Sequence, residues 1–239
     1  MIETVALTGS TNADLAARLA SAERVAEGHW LVADRQDAGR GRLGRIWFDG
    51  LGNFMGSTVV HLGFGDPSPS TLALVAGLAV QRAVEPHVPA PRLALLKWPN
   101  DVMVGNAKLA GMLLERVGDA VVVGIGVNLA AAPQLPDRAT AALSDFGPAP
   151  DRDHFATALA ALFDEELQRW RTYGLEPLLA RWTAAAHPVG TALTVAEPGG
   201  RMISGTFAGL DGTGALLLGL PDGTRQSIHA GDVMLAGQG

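Results

Sequence analysis

The chain has 239 residues, 48% of them hydrophobic and 18% charged, so its length suits one large domain with a smaller one and its composition is far from that of a disordered chain. Zero cysteines exclude disulfide scaffolds, thiolate zinc sites, thiol nucleophiles and iron–sulfur clusters, and a net charge of −6 disfavours general affinity for nucleic acid, so any anion site must be local. The longest run free of strongly polar residues, Leu72–Val80, is less than half the roughly twenty positions of a membrane span, and MIETVALTGS carries an acid where an export signal carries bases; a cytoplasmic protein is expected.

Residues 3–8 read as a strand, and Ser10-Thr11-Asn12-Ala13-Asp14 opens a capped helix whose apolar pattern, Leu15, Leu19 and Val25, stops at Gly28. Trp30–Arg35 and Phe54–Leu62 are strands joined by an arginine–glycine loop, Gln36–Ile46, and a turn at Asp49–Asn53. A connection over Gly63–Ser70 leads to a helix at Thr71–Glu85, ended by Pro86. Leu93–Trp98, Val102–Gly105, Leu109–Val117 and Ala120–Asn128 are short β runs, with Gly118-Asp119 as a hairpin turn; much of the sheet should be antiparallel or mixed. After a loose stretch at Leu129–Pro150, Phe155, Leu159, Leu162, Phe163, Leu167 and Trp170 form one helical face, which is core. From His187 the helical period disappears, and short β runs punctuated by Pro198-Gly199-Gly200, Asp211-Gly212 and Asp222-Gly223 predict a small β-barrel.

Six histidines show no HxH or HExxH spacing and are assigned no chemistry. The bases are more telling: sixteen of eighteen are arginine, and the two lysines, Lys97 and Lys108, lie eleven positions apart. Lysine is a compact point charge suited to a tight pocket, which draws attention to that segment. Gly39-Arg40-Gly41-Arg42-Leu43-Gly44-Arg45 matches G-x-G-x-x-G, but no helix follows it, so a dinucleotide fingerprint is rejected. Its glycines permit close backbone approach, and its arginine forks neutralise phosphate or carboxylate oxygens; a solvated loop is the plain alternative. Lys97-Trp98-Pro99-Asn100-Asp101 fixes a corner after an apolar strand, readable also as an ordinary β-turn, and Lys108 opens the next strand at the edge of the core. In Gly124-Ile125-Gly126-Val127-Asn128 the glycines leave room for a flat ligand against the backbone.

These residues together (Ser10-Thr11-Asn12, Gln36, GRGRLGR with Trp47, KWPND, the Lys108-Leu-Ala-Gly run and Gly-Ile-Gly-Val-Asn128) resemble biotin–protein ligases, also called biotin–acetyl-CoA-carboxylase ligases, over nearly the whole chain. The resemblance implies an α+β fold: a class II aminoacyl-tRNA synthetase-like core at residues 1–186, with a mixed, largely antiparallel sheet and flanking helices, and an SH3-like barrel at 187–239. Because nine residues precede Ser10, it implies the monofunctional type, without the DNA-binding winged helix of bifunctional members. It also implies two steps. Biotin's carboxylate attacks the α-phosphate of ATP, giving biotinyl-5′-AMP, and a lysine of a biotin carboxyl carrier protein then takes the biotinyl group. By the same resemblance Ser10, Thr11, Asn12, Gln36, Gly39, Arg40 and Gly41 bind biotin, with Arg42 and Lys108 catalytic and touching both substrates. Arg45, Trp47, Lys97, Asn100, Asp101 and Asn128 complete the nucleotide site, and Asp101 is a candidate ligand for the Mg²⁺ that accompanies ATP. Leu43 and Ile46 depart from the basic residues of many relatives. A lipoate or other acyl-adenylate ligase, and a non-catalytic nucleotide-binding module, remain as alternatives, and a homodimer is compatible with the sequence.

Overall fold

The aliphatic and β-branched runs between Ile2 and Val127 pair into one seven-stranded sheet. In chain order the elements of the computed structural model are β1 (Ile2–Thr8), α1 (Thr11–Ala20), β2 (Trp30–Gln36), β3 (Phe54–His61), α2 (Leu72–Val84), β4 (Ala94–Lys97), β5 (Asp101–Val104), β6 (Ala107–Val117) and β7 (Ala120–Val127). Two helices follow, α3 (Arg152–Tyr173) and α4 (Leu175–Ala185), and then β8 (Ala192–Ala196), β9 (Met202–Leu210), β10 (Leu216–Gly219), β11 (Arg225–Ile228) and β12 (Asp232–Leu235). The structure describes residues 1–136 and 138–235; Asp137 of the loose stretch and the last four residues of the expected barrel lie outside the described residues.

The large sheet runs β1-β2-β3-β7-β6-β5-β4, parallel only between β1 and β2, which makes it the mixed, largely antiparallel sheet expected. Alternation along β7 decides what each face does. Val121, Val123, Ile125 and Val127 join the main core beneath α2, α3 and α4. On the other face Ala120 and Val122 are buried with Leu15, Leu31 and Val59 under α1, a helix that roofs only one end. Gly124, under the first turn of α1, and Gly126 continue that second face, and with no side chains of their own they leave a floor on which a cavity can open.

Three local readings need adjustment. The first helix stops at Ala20: the Ser21 hydroxyl caps the Arg18 carbonyl at 2.9 Å and Ala22 turns to φ +60°, so Val25 reaches the core from a loop and not from the helix. Gln36 belongs to β2 and not to the loop. The α4 helix, whose Leu178 and Trp182 are buried one turn apart, has no counterpart in the sequence reading; Pro177 sits in its first turn, where the missing N–H does no harm.

The second sheet, β11-β10-β9-β8-β12, is wholly antiparallel and SH3-like. Its buried Leu193, Phe207 and Leu216 belong to the same apolar cluster as Trp182 of α4, and Trp98 Nε1 donates to the Gly214 carbonyl at 3.1 Å. No helix among the described residues is long and apolar enough to cross a membrane.

One ion cluster fastens α2, α3 and α4. The fully buried Glu166 carboxylate accepts from Arg82 Nη1 at 2.7 Å and from Arg181 at 2.5 and 2.6 Å. Burial pushes this carboxyl up, but the two guanidiniums outweigh it and hold the pKa below its ordinary 4.5. Glu166→Ala is expected to cost about 2–3 kcal/mol, read as a fall in the denaturant midpoint at neutral pH. Because the folded pKa is depressed, that difference is complete above the unfolded carboxyl's pKa and disappears as pH falls through the folded one.

Candidate functional site

The glycine floor of β6 and β7 underlies a cavity of about 470 Å³, roofed by the arginine–glycine loop and closed at one side by Asp232 at the start of β12. Among the sequence-predicted residues, Ser10, Thr11, Asn12, Gln36, Arg40, Gly41, Arg42, Arg45, Trp47, Asn100, Asp101, Lys108 and Asn128 all line it. Gly39 and Lys97 stand just behind the wall. Gly39 accepts from Trp47 N at 2.9 Å, and Lys97 Nζ lies 3.6 Å from Asp101 Oδ2.

One end of the cavity is neutral and polar. Ser10 caps α1, its hydroxyl accepting from Ala13 N at 3.5 Å, so the same residue starts the helix and faces the cavity. Thr11 N donates to Gln36 Oε1 at 2.7 Å, and Thr11 Oγ1 lies 2.7 Å from the buried Ser57 Oγ. Asn12 is wedged over Gly124, where a Cβ would come within 2.2 Å of its Oδ1. Ser57 belongs to no motif; what marks it is its place opposite Gly124 in the β3–β7 register.

The other end is charged. The loop folds back as a short hairpin, with Gly41 N donating to Arg45 O at 2.8 Å and Leu43 at its tip in the left-handed region at φ +57°. Arg42 Nη1 donates to Asn100 Oδ1 at 3.1 Å and Nη2 to the Gly231 carbonyl at 3.0 Å, while Arg45 pairs with Asp232. Burial pushes the Arg42 guanidinium below its ordinary range, opposed by the carboxylates of Asp232 and Asp101. Below it, Lys108 Nζ lies 2.6 Å from Asp101 Oδ1 and 5.7 Å from the centre of the Trp47 ring. Burial also lowers the Lys97 pKa, with Asp101 opposing and Lys108 reinforcing the shift.

Between the two ends Trp47 lies flat on the backbone. A Cβ on Gly126 would come within 2.2 Å of the indole and one on Gly111 within 3.1 Å, so these paired glycines are what admit an aromatic ring there. Asn128 is held by its Nδ2, which donates to Ala141 O at 3.0 Å, and its buried Oδ1 has no donor among the described residues. A buried acceptor left open beside a cavity is suited to a ligand N–H. Asp232, Arg138 and Glu115 were not reached from sequence. The first lies 187 positions from its partner Arg45, and no local spacing connects them.

Known proteins resemble this chain in sequence and fold. Residues 6–129 match the model of the biotin/lipoate A/B protein ligase family, and residues 192–235 match the biotin protein ligase C-terminal domain. The chain is 40% identical to a biotin–acetyl-CoA-carboxylase ligase of Paracoccus denitrificans, over 98% of this chain and 100% of that protein. It is 36% identical to the ligase of the same name from Mycobacterium tuberculosis, over 98% of this chain and 88% of that one. A biotin protein ligase from Aquifex aeolicus, solved in complex with biotin and ATP, superposes with a TM-score of 0.84 at 28% identity, covering 98% of this chain and 97% of that one.

Proposed function

The chain belongs to the biotin/lipoate A/B protein ligase family, as a relative of its biotin–acetyl-CoA-carboxylase ligases, and from that premise we propose how its cavity activates biotin with ATP. The reaction is biotinylation in two steps. A biotin carboxylate oxygen bonds to the α-phosphorus, the bond to the β-phosphate oxygen breaks and pyrophosphate leaves; the acceptor amine then attacks the acyl carbon and AMP leaves. The observation that carries the residue assignment is the meeting of Lys108 and Arg42 with a neutral polar end in one cavity.

Biotin's ureido ring offers two donors and one acceptor, which Thr11, Gln36 and Asn12 match without burying a charge. Lipoate's dithiolane ring has no strong donor and would leave these polar groups unpaired, at about 1–3 kcal/mol for each such group. Arg40 and Gly41 cover the bound acid, and Gly39 holds the loop's base by its bond to Trp47. Carboxylate and triphosphate repel one another, so Lys108, reaching between them, supplies the cation where charge gathers, and Arg42 and Arg45 meet the phosphates. Trp47 and the open Asn128 Oδ1 take the adenine, Asn100 orients Arg42, and Lys97 keeps Asp101 in place.

Asp101 does not suit a magnesium ligand. Its oxygens face two ammonium groups, Lys108 at 2.6 Å and Lys97 at 3.6 Å, which would repel a cation there. Mg²⁺ would accompany ATP as part of the substrate and would offset phosphate charge there. We divide the chain after residue 186, between α4 and β8, with the acceptor a biotin carboxyl carrier domain and the reaction cytoplasmic.

Incubation with ATP, Mg²⁺, biotin and a carrier domain is expected to add one biotinyl group to the acceptor by mass spectrometry. An acceptor of unchanged mass, or one that gains a lipoyl group from lipoate in preference, would overturn the proposal.

A further inference from the structure

We propose that Glu115, which belongs to none of the motifs of the site, is a positioning residue that sets the hydrogen-bond polarity of the biotin end; the inference rests on the biotin-binding reading above. Glu115 projects from β6 on the same face as Gly111 and Leu113, and its Oε2 lies 2.6 Å from Asn12 Nδ2. The Leu113 carbonyl lies 3.4 Å from the same atom. A carboxylate and a carbonyl only accept, so the Asn12 atom facing them must be its NH₂, and Oδ1 faces Ser57 Oγ at 2.6 Å.

The consequences run along a chain of single hydrogens. An amide oxygen only accepts, so Ser57 commits its one hydroxyl hydrogen to Asn12. Thr11 Oγ1, 2.7 Å from Ser57 Oγ, must therefore donate into Ser57, and its 3.1 Å approach to Gln36 Oε1 carries no hydrogen. The Thr11 hydroxyl then presents both lone pairs and no hydrogen to the cavity: it is an acceptor, matched to a ureido N–H. Gln36, whose Oε1 takes the Thr11 backbone N–H at 2.7 Å, has its Nε2 on the side of Gly39, where it is left as the donor for the ureido carbonyl.

A neutral residue that can donate at position 115 weakens the constraint, leaving the Asn12 amide held only by the 3.4 Å contact to the Leu113 carbonyl. The Asn12 amide can then turn over, Ser57 accepts from it and donates to Thr11, and the Thr11 hydrogen is freed to swing between Gln36 Oε1, 3.1 Å away, and the ligand. The ring would lose the fixed acceptor that its N–H needs.

The test compares wild type with Glu115→Gln, Ser57→Ala and the double variant, by biotin titration calorimetry, by biotin- and ATP-dependent pyrophosphate exchange, and by thermal melting. Glu115→Gln is expected to raise the Kd and KM for biotin about tenfold, the worth of one hydrogen bond, with KM for ATP and Tm nearly unchanged. In the Ser57→Ala background, where the chain is already cut, the same substitution should change biotin binding less than twofold. An unaltered biotin Kd in Glu115→Gln, equal rises in both KM values, or additive effects in the double variant would each overturn the proposal. Wild-type protein that binds no biotin would instead remove the reading on which it rests.

Discussion

Lys108→Ala is expected to slow biotin-dependent ATP–pyrophosphate exchange by about 10²–10³-fold, the loss of about 2.7–4 kcal/mol that removing one preorganised charge donor costs. The geometry makes the estimate specific. The ammonium is half-buried between Asp101 Oδ1 at 2.6 Å and the Trp47 face at 5.7 Å, so it is aimed before substrate arrives and needs little reorganisation. Lys108→Arg should restore little. The lysine chain crosses Gly111 so closely that a Cβ there would come within 3.0 Å of Nζ, and a planar guanidinium has no room in that gap. Transfer from preformed biotinyl-5′-AMP to the acceptor should suffer far less, because the α-phosphate has already been attacked. Full exchange activity in Lys108→Ala would take the bridging role away from this residue.

The parts of the site that were legible are those whose chemistry is local. A cap sequence before an apolar pattern, three arginines among three glycines and two lone lysines in one segment all announce themselves locally, and the fold brings the cap, the arginines and Lys108 to one cavity with Lys97 just behind its wall. The antiparallel character of the sheet followed from short β runs and tight turns, such as Gly118 at φ +57° between β6 and β7. What stayed hidden depends on contacts across the chain. Glu115 meets Asn12 across 103 positions, and Gly231 and Asp232 reach the arginine loop from the far end of the sequence. Val25 misled in the opposite sense, since a buried residue at nearly helical spacing is supplied by a loop after Ala22 has ended the helix. Asn53 shows the same limit. It reads as a turn former, yet its Oδ1 accepts from the backbone N–H of Leu129, Ala130 and Ala131 at 2.9–3.1 Å and anchors the strand-to-loop exit beside Asn128.

Two glycines on one strand allow the biotin and nucleotide ends to be separated experimentally. Gly124 and Gly126 share the cavity face of β7, two residues apart, and neither needs a positive φ, so alanine is excluded by what lies above and not by the backbone. A methyl on Gly124 would come within 2.2 Å of Asn12 Oδ1, and a methyl on Gly126 within 2.2 Å of the Trp47 indole. Each side chain must move by more than an ångström, which is about the displacement at which a positioned group loses a hundredfold in rate. Gly124→Ala is therefore expected to raise KM for biotin about a hundredfold while leaving KM for ATP within a few-fold, and Gly126→Ala to do the reverse. Both should lower stability by about 1–3 kcal/mol, the usual cost of overpacking, which thermal melting would register. Steady-state exchange kinetics with each substrate varied in turn would decide the matter. Loss of affinity for both substrates in both variants would mean that the strand acts only as a structural floor, and that the two ends of the cavity are not read by Asn12 and Trp47 separately.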